Sequence, residues 1–193
     1  MQWSAEHNAY VDEGTLELPP RSPSGRPSGL VIRALCFLAI FAALQLTWEA
    51  LRGSVVERLV VHDGTVRPAA FLANLLTPDV HAHAVDFSLR APGGGLRILN
   101  GCEGVEALFL LAAALGVASV PWKTRWLGLL AGLPLVFLIN QARILVLFYS
   151  YRANPGLFGT LHAVVAPIVV VLAIAMYFYG WLTYASRHDA KPG

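Results

Sequence analysis

Leu127–Tyr149 reads LGLLAGLPLVFLINQARILVLFY, an apolar run long enough to cross a bilayer and interrupted by Asn140, Gln141 and Arg143. An arginine in such a run costs about 3 kcal/mol or more, so it calls for a function. Composition agrees with a membrane chain. Of 193 residues 56% are hydrophobic and 13% charged, and the mean hydropathy is +0.57. Those values are too apolar for a soluble domain of this length. A net charge of +2 without a Lys/Arg block carries no nucleic-acid signature. The two cysteines, Cys36 and Cys102, supply neither a zinc spacing nor a disulfide framework.

Other apolar runs flank this one. Leu30–Trp48 is apolar apart from Arg33 and Gln45, and its 19 residues would reach about 28 Å, close to the hydrocarbon thickness. Val105–Val120 follows, and Leu161–Tyr184 closes in a belt of Tyr177, Tyr179, Trp181 and Tyr184. The expected fold is an all-α polytopic membrane protein with about four transmembrane helices, over 30–48, 105–120, 127–149 and 161–184. The membrane domain is expected to run over 30–186. Residues 1–29 are polar and end rich in Pro and Ser, a composition that buries no core, and read as a disordered cytoplasmic tail. Residues 187–193 read as a second short cytoplasmic tail.

Between the first two runs lies a mixed loop. Ser54–Val61 suits a short amphipathic helix or a strand. Arg67–Leu76 carries Phe71, Leu72, Leu75 and Leu76 at helical spacing and is expected on the membrane face. Ala84–Leu89 and Leu96–Leu99, around Pro92-Gly93-Gly94-Gly95, predict a small extracytoplasmic β-hairpin leading into Cys102. Pro121–Trp126 reads as a basic turn flanked by tryptophans, and Ser150–Thr160 as a loop around Asn154-Pro155-Gly156. Four spans place Arg21, Arg26, Arg33, Lys123, Arg125, Arg187 and Lys191 on one side, which the positive-inside rule makes cytoplasmic. Cys102 then enters the second span from outside. Arg143 lies about 9 Å below Tyr149 by helical rise, and its long side chain can lift its head outward. His162 sits in the first turn of the fourth span, so the three residues can meet near the outer surface.

The residue types suit nucleophilic chemistry. Asn100 and Glu103 form a capping-box-like pattern, which would put Cys102 in the first helical turn, where the helix dipole favours thiolate. Arg143 would hold that thiolate or an oxyanion, with Glu106, one turn below Cys102, as its orienting partner. His162 would move the proton. Cys36 lacks polar neighbours and reads as packing. Each residue alone has a plainer reading, as a packed cysteine, an ion pair or a hydrated histidine. The corresponding alternative is a non-enzymatic membrane subunit or transporter-like protein with a structural Glu106–Arg143 pair. His81 and His83 would share a strand face near Asp79 and Asp86, a weak metal pattern without a third ligand of clear spacing. No metal and no cofactor is expected.

Three motifs in order, Asn100-Gly101-Cys102-Glu103-Gly104, Asn140-Gln141-Ala142-Arg143-Ile144 and Leu161-His162, resemble the exosortase/archaeosortase family of membrane transpeptidases. The resemblance covers about Val55 to Trp181. Many members have about twice as many spans, so the chain looks like a short, accessory-type member. Glu103 stands where the family often has a small or hydroxyl residue. The resemblance implies catalytic Cys102, Arg143 and His162, and the residues around them, Asn100, Glu103, Glu106 and Asn140, are read as their support. It implies a cysteine protease or transpeptidase that cleaves a C-terminal sorting signal of exported, membrane-anchored proteins through a thioester acyl-enzyme. It further implies residence in a bacterial cytoplasmic (inner) membrane with the site on the extracytoplasmic face, and no nucleic-acid partner.

Overall fold

A computed structural model describes residues 27–98 and 101–189. Among the described residues three helical stretches are long and apolar enough to cross a membrane: Gly29–Ala50, Trp122–Ala153 and Pro155–Arg187. They belong to α1 (Pro27–Ala50), α5 (Trp122–Ala153) and the run that ends in α7 (Ala166–Asp189). The remaining apolar helix, α4 (Val105–Val117), has 13 residues, about 20 Å by helical rise. It is shorter than the 105–120 expected and lies among α1, α5 and α7. The chain is an all-α polytopic membrane protein with a small sheet.

In a bilayer, apolar side chains gain little by leaving lipid for one another, so close packing and hydrogen bonds hold the helices together. Small residues allow that approach. A Cβ on Gly128 would lie 2.5 Å from Trp181 Nε1, so the indole fits only against glycine. That indole donates to Thr124 O at 3.1 Å, and Tyr177 donates to Gly128 O at 2.6 Å. Arg125 turns back to donate to Gly116 O and Ala118 O, both at 2.9 Å, and so satisfies the open carbonyls at the end of α4. The expected basic turn is therefore tighter: Pro121 caps α5, and Trp122 already opens the helix.

The expected Ser150–Thr160 loop is mostly helix. Only Asn154 breaks it, capping α6 (Pro155–Thr160) by accepting from Gly156 N at 3.0 Å. Asn154 and Pro155 supply cap and first turn, so the helix restarts at once. A π-helical turn, Leu161–Val165, then joins α6 to α7.

After α1, a short α2 (Val55–Glu57) runs through π-helical Arg58–Val66 into α3 (Arg67–Leu76). Small Ala69, Ala70 and Ala73 face inward, while Phe71, Leu75 and Leu76 are exposed. That arrangement places large apolar side chains outward, as a helix seated on a membrane face requires. The expected hairpin is a three-stranded antiparallel sheet: β1 (His83–Val85), β2 (Ser88–Ala91) and β3 (Gly94–Arg97). Asp86, at φ 49°, makes an additional turn inside the expected Ala84–Leu89 strand. His62 Nδ1 lies 2.5 Å from Asp86 O and steadies that turn. Pairing of Leu89 with Leu96 puts both on the buried face, while Arg90 and Arg97 stay exposed. His81 does not share a strand face with His83. It precedes β1 in a left-handed conformation at φ 48°. Among the described residues no group of three or more metal-ligating side chains includes them.

Candidate active site

The site is built on the turn Gly101–Gly104, between the sheet and α4. Two glycines shape it, with φ of 86° at Gly101 and 85° at Gly104. Gly104 caps α4, and a Cβ there would sit 2.7 Å from Asn140 Cγ. Conformation and contact both demand glycine. The helix therefore starts at Val105, not around Cys102, and the capping-box reading is corrected. Cys102 lies in the turn before the helix, outside its first-turn amides. Asn100 lies outside the described residues.

The turn is held from several sides. Gly101 N donates to Glu103 Oε2 at 2.8 Å, and Gly101 O accepts from Arg143 Nη1 at 2.7 Å. Thr65 Oγ1, which donates to Val60 O at 3.0 Å, lies 3.5 Å from Glu103 O, and Gln141 Nε2 donates to Thr65 O at 3.3 Å. Arg52 Nη1 lies 3.9 Å from Glu103 Oε1 and 3.8 Å from Glu57 Oε1. The Glu103 carboxylate is thus 6% exposed yet partnered. Burial pushes its carboxyl above the usual range and neighbouring Glu106 adds to that, while the Gly101 amide and Arg52 partly oppose it.

Cys102 is 5% exposed, and side chains from two other helical segments converge on it. Its Sγ lies 3.5 Å from His162 Nδ1 and 3.6 Å from Arg143 Nη2, the latter a guanidinium donor. His162 stands on the π-helical turn, a local widening common at functional positions. Phe158, one turn earlier, stacks on its ring with centroids 5.4 Å apart and planes 6° apart, which fixes the imidazole's orientation. Burial pushes the Cys102 thiol up. Arg143 opposes that shift, and Glu103 and Glu106 reinforce it. Against the expected resting thiolate, desolvation favours the neutral thiol. A neighbouring imidazole that can accept the proton is then the relevant feature.

The expected Glu106–Arg143 ion pair is absent among the described residues. Arg143 donates instead to the Gly101 carbonyl, and both Glu106 Oε2 and Arg143 Nε are buried without a hydrogen-bond partner. Asn140, 5% exposed, packs against Gly104 with its Oδ1 also unpartnered. Sequence reading missed Arg52, Thr65 and Phe158. Phe158 had a usable signal, an aromatic four residues before His162 on what is continuous helix. Arg52 and Thr65 act across the fold and had none.

The family model described as transmembrane exosortase (Exosortase_EpsH) matches residues 24–179. No curated protein and no solved structure matches the chain. The family match spans α1, the Gly101–Gly104 turn, Arg143 and His162. With these spans and this match over most of its length, the chain belongs to the transmembrane exosortase family, and with it to a membrane transpeptidase-type role.

Proposed function

We propose that the chain is a membrane-embedded cysteine transpeptidase or protease that cleaves a C-terminal sorting signal of exported, membrane-anchored proteins. The observation that carries this reading is the convergence of His162 Nδ1 and Arg143 Nη2 on Cys102 Sγ, at 3.5 and 3.6 Å. The thiol gives its proton to His162 as sulfur attacks the scissile carbonyl carbon. The C=O electron pair moves to oxygen, and the Arg143 guanidinium stabilises that oxyanion. Collapse of the intermediate breaks the C–N bond, and His162 returns the proton to the leaving amine. A thioester acyl-enzyme remains, which an amine or water resolves, regenerating the thiol. Asn140, Glu103 and Glu106 serve in support, Asn140 through Gly104 and Glu103 through Gly101.

The Lys/Arg placement supports a cytoplasmic (inner) membrane protein with this site on the extracytoplasmic face. The non-enzymatic reading loses its motive once Glu106 and Arg143 are unpaired. C-terminal peptides of exported membrane proteins, counted by mass spectrometry in cells with wild type or Cys102→Ala, test the proposal. Wild-type cells should lose C-terminal segments that cells carrying a folded Cys102→Ala protein retain. Equal processing in both contradicts the reading.

A further inference from the structure

Arg52 stands just past the end of α1, and carboxylates from three elements gather on its guanidinium. Its Nε donates to Glu49 Oε2 in the last turn of α1. Its Nη1 lies 3.8 Å from Glu57 Oε1 and 3.9 Å from Glu103 Oε1. Glu57 and Glu103 are both buried, and each uses its second oxygen in the same way. Glu57 Oε2 accepts from Gly53 N at 2.6 Å, and Glu103 Oε2 accepts from Gly101 N at 2.8 Å. Both glycines are left-handed, at φ 74° and 86°. Ser54 caps α2, its Oγ accepting from Val56 N and Glu57 N, and Glu57 reaches back past that cap in the manner of a capping box. One guanidinium thus spans two carboxylates that each close a glycine turn. The first turn ends the first span, and the second carries Cys102.

We propose that Arg52 is a positioning residue for Cys102, tying the Ala50 end of α1 to the Gly101–Gly104 turn through Glu103. The inference rests on the proposed nucleophile and base, and says what keeps the first within reach of the second. Two buried carboxylates around one point require a counter-charge. Its removal leaves them to repel, reorient or take up protons. Glu103 would then lose its hold on the Gly101 amide. Gly101 is gripped on both sides, its N–H by Glu103 and its carbonyl by Arg143 Nη1 at 2.7 Å. Cys102 is the next residue, so a shift of Gly101 carries Sγ with it. His162 stands on a separate segment, the π-helical turn after α6. A displaced turn therefore alters the 3.5 Å separation between Sγ and His162 Nδ1. Arg52 acts on that separation through Glu103 and takes no part in the proton transfer itself.

The test follows alkylation of Cys102 by iodoacetamide in the full chain with Cys36→Ala, held in lipid nanodiscs and read by peptide mass spectrometry. Each Arg52 variant is made both with His162 and with His162→Ala. With His162 present, Arg52→Gln should slow the reaction by about tenfold, within the loss of up to about 10² that a 1 Å misplacement causes. In the His162→Ala protein the same change should have no effect, because a displaced thiol has no base left to lose. Arg52→Lys keeps a charge between Glu57 and Glu103, so it should recover part of the rate. Where Arg52→Gln fails to fold, Arg52→Lys carries the test, its smaller loss likewise confined to protein with His162. Arg67→Gln removes an exposed arginine paired with Asp63 at 3.0 Å and should leave the rate unchanged. An unchanged rate in the Arg52 variants, or equal slowing by Arg67→Gln, overturns the inference alone. Equal slowing with and without His162 also overturns it, since that marks an effect of charge or general destabilisation and not of placement. A Cys102 that is unreactive in every protein, or indifferent to His162 while Arg52 is intact, overturns the nucleophile and base reading and this inference with it.

Discussion

Gly104→Ala should disable the site by deforming the turn that carries Cys102. The position has φ 85°, and a left-handed conformation costs a non-glycine residue about 1–2 kcal/mol. The added Cβ would also meet Asn140 Cγ at 2.7 Å, Cβ at 2.9 Å and Nδ2 at 2.9 Å. Asn140 is 5% exposed in a packed interior, so it cannot swing away, and overpacking of this kind costs about 1–3 kcal/mol. The sum is a loss of about 2–5 kcal/mol. Relief by backbone shift would move Cys102 from its 3.5 Å approach to His162. Denaturant unfolding in detergent measures the first effect, and the alkylation rate of Cys102 measures the second. The double variant Gly104→Ala/Asn140→Ala should recover only the part of the steric cost that Asn140 Cγ and Nδ2 cause, since the Cβ contact at 2.9 Å remains, and keep the conformational cost, a coupling that a double-mutant cycle isolates. A Gly104→Ala protein within about 0.5 kcal/mol of wild type, or no coupling to Asn140, would refute this account of the turn.

Other expectations concern charge and packing. Arg143→Ala should lower turnover by about 10²–10³, the usual loss of an oxyanion donor. Arg143→Lys should rescue only part of it, because an ammonium cannot reach Gly101 O and Cys102 Sγ with one planar fork. Wild-type Cys102 should alkylate with a pH midpoint above the ordinary thiol range, since burial and the Glu103 and Glu106 charges outweigh Arg143. Glu103→Gln should move that profile to lower pH, because it removes a negative neighbour while keeping an acceptor for Gly101 N. The raised Glu103 carboxyl stabilises the fold while protonated, below its unfolded pKa, and that contribution is lost as pH rises through its folded pKa. Wild-type stability should therefore fall over that window and Glu103→Gln should flatten it, as melting curves against pH would show. Gly128→Ala should destabilise the α5–α7 contact by about 1–3 kcal/mol through Trp181 and leave the Cys102 pH profile unchanged.

The spans were legible in the sequence because a long apolar run with few charges is stable only in a bilayer or a large buried core, and a chain of this length has no such core. The convergence of Cys102, Arg143 and His162 was legible because each lies at the same end of its segment. What escaped depends on contacts between distant residues. Asn100 and Glu103 have the chemistry of a capping box, yet α4 starts later, where Gly104 meets Asn140, and no local pattern reveals that contact. The Asp86 turn carried only a weak signal, since aspartate tolerates the left-handed conformation it adopts but no glycine or proline stands beside it. A Glu106–Arg143 pair was a fair reading of spacing. Arg143 instead donates to the Gly101 carbonyl, which the folded turn presents at 2.7 Å. The sequence also does not show how deeply the turn buries Cys102, and that burial favours the neutral thiol.

The most direct measurement is the alkylation rate of Cys102 at pH 7, resolved by peptide mass spectrometry in Cys36→Ala protein with and without His162→Ala. With His162 present the thiol has a proton acceptor 3.5 Å away, and its removal should slow the reaction by about 10² or more. Equal rates in the two proteins, or a Cys102 that stays unmodified in both, would contradict a cysteine nucleophile served by His162.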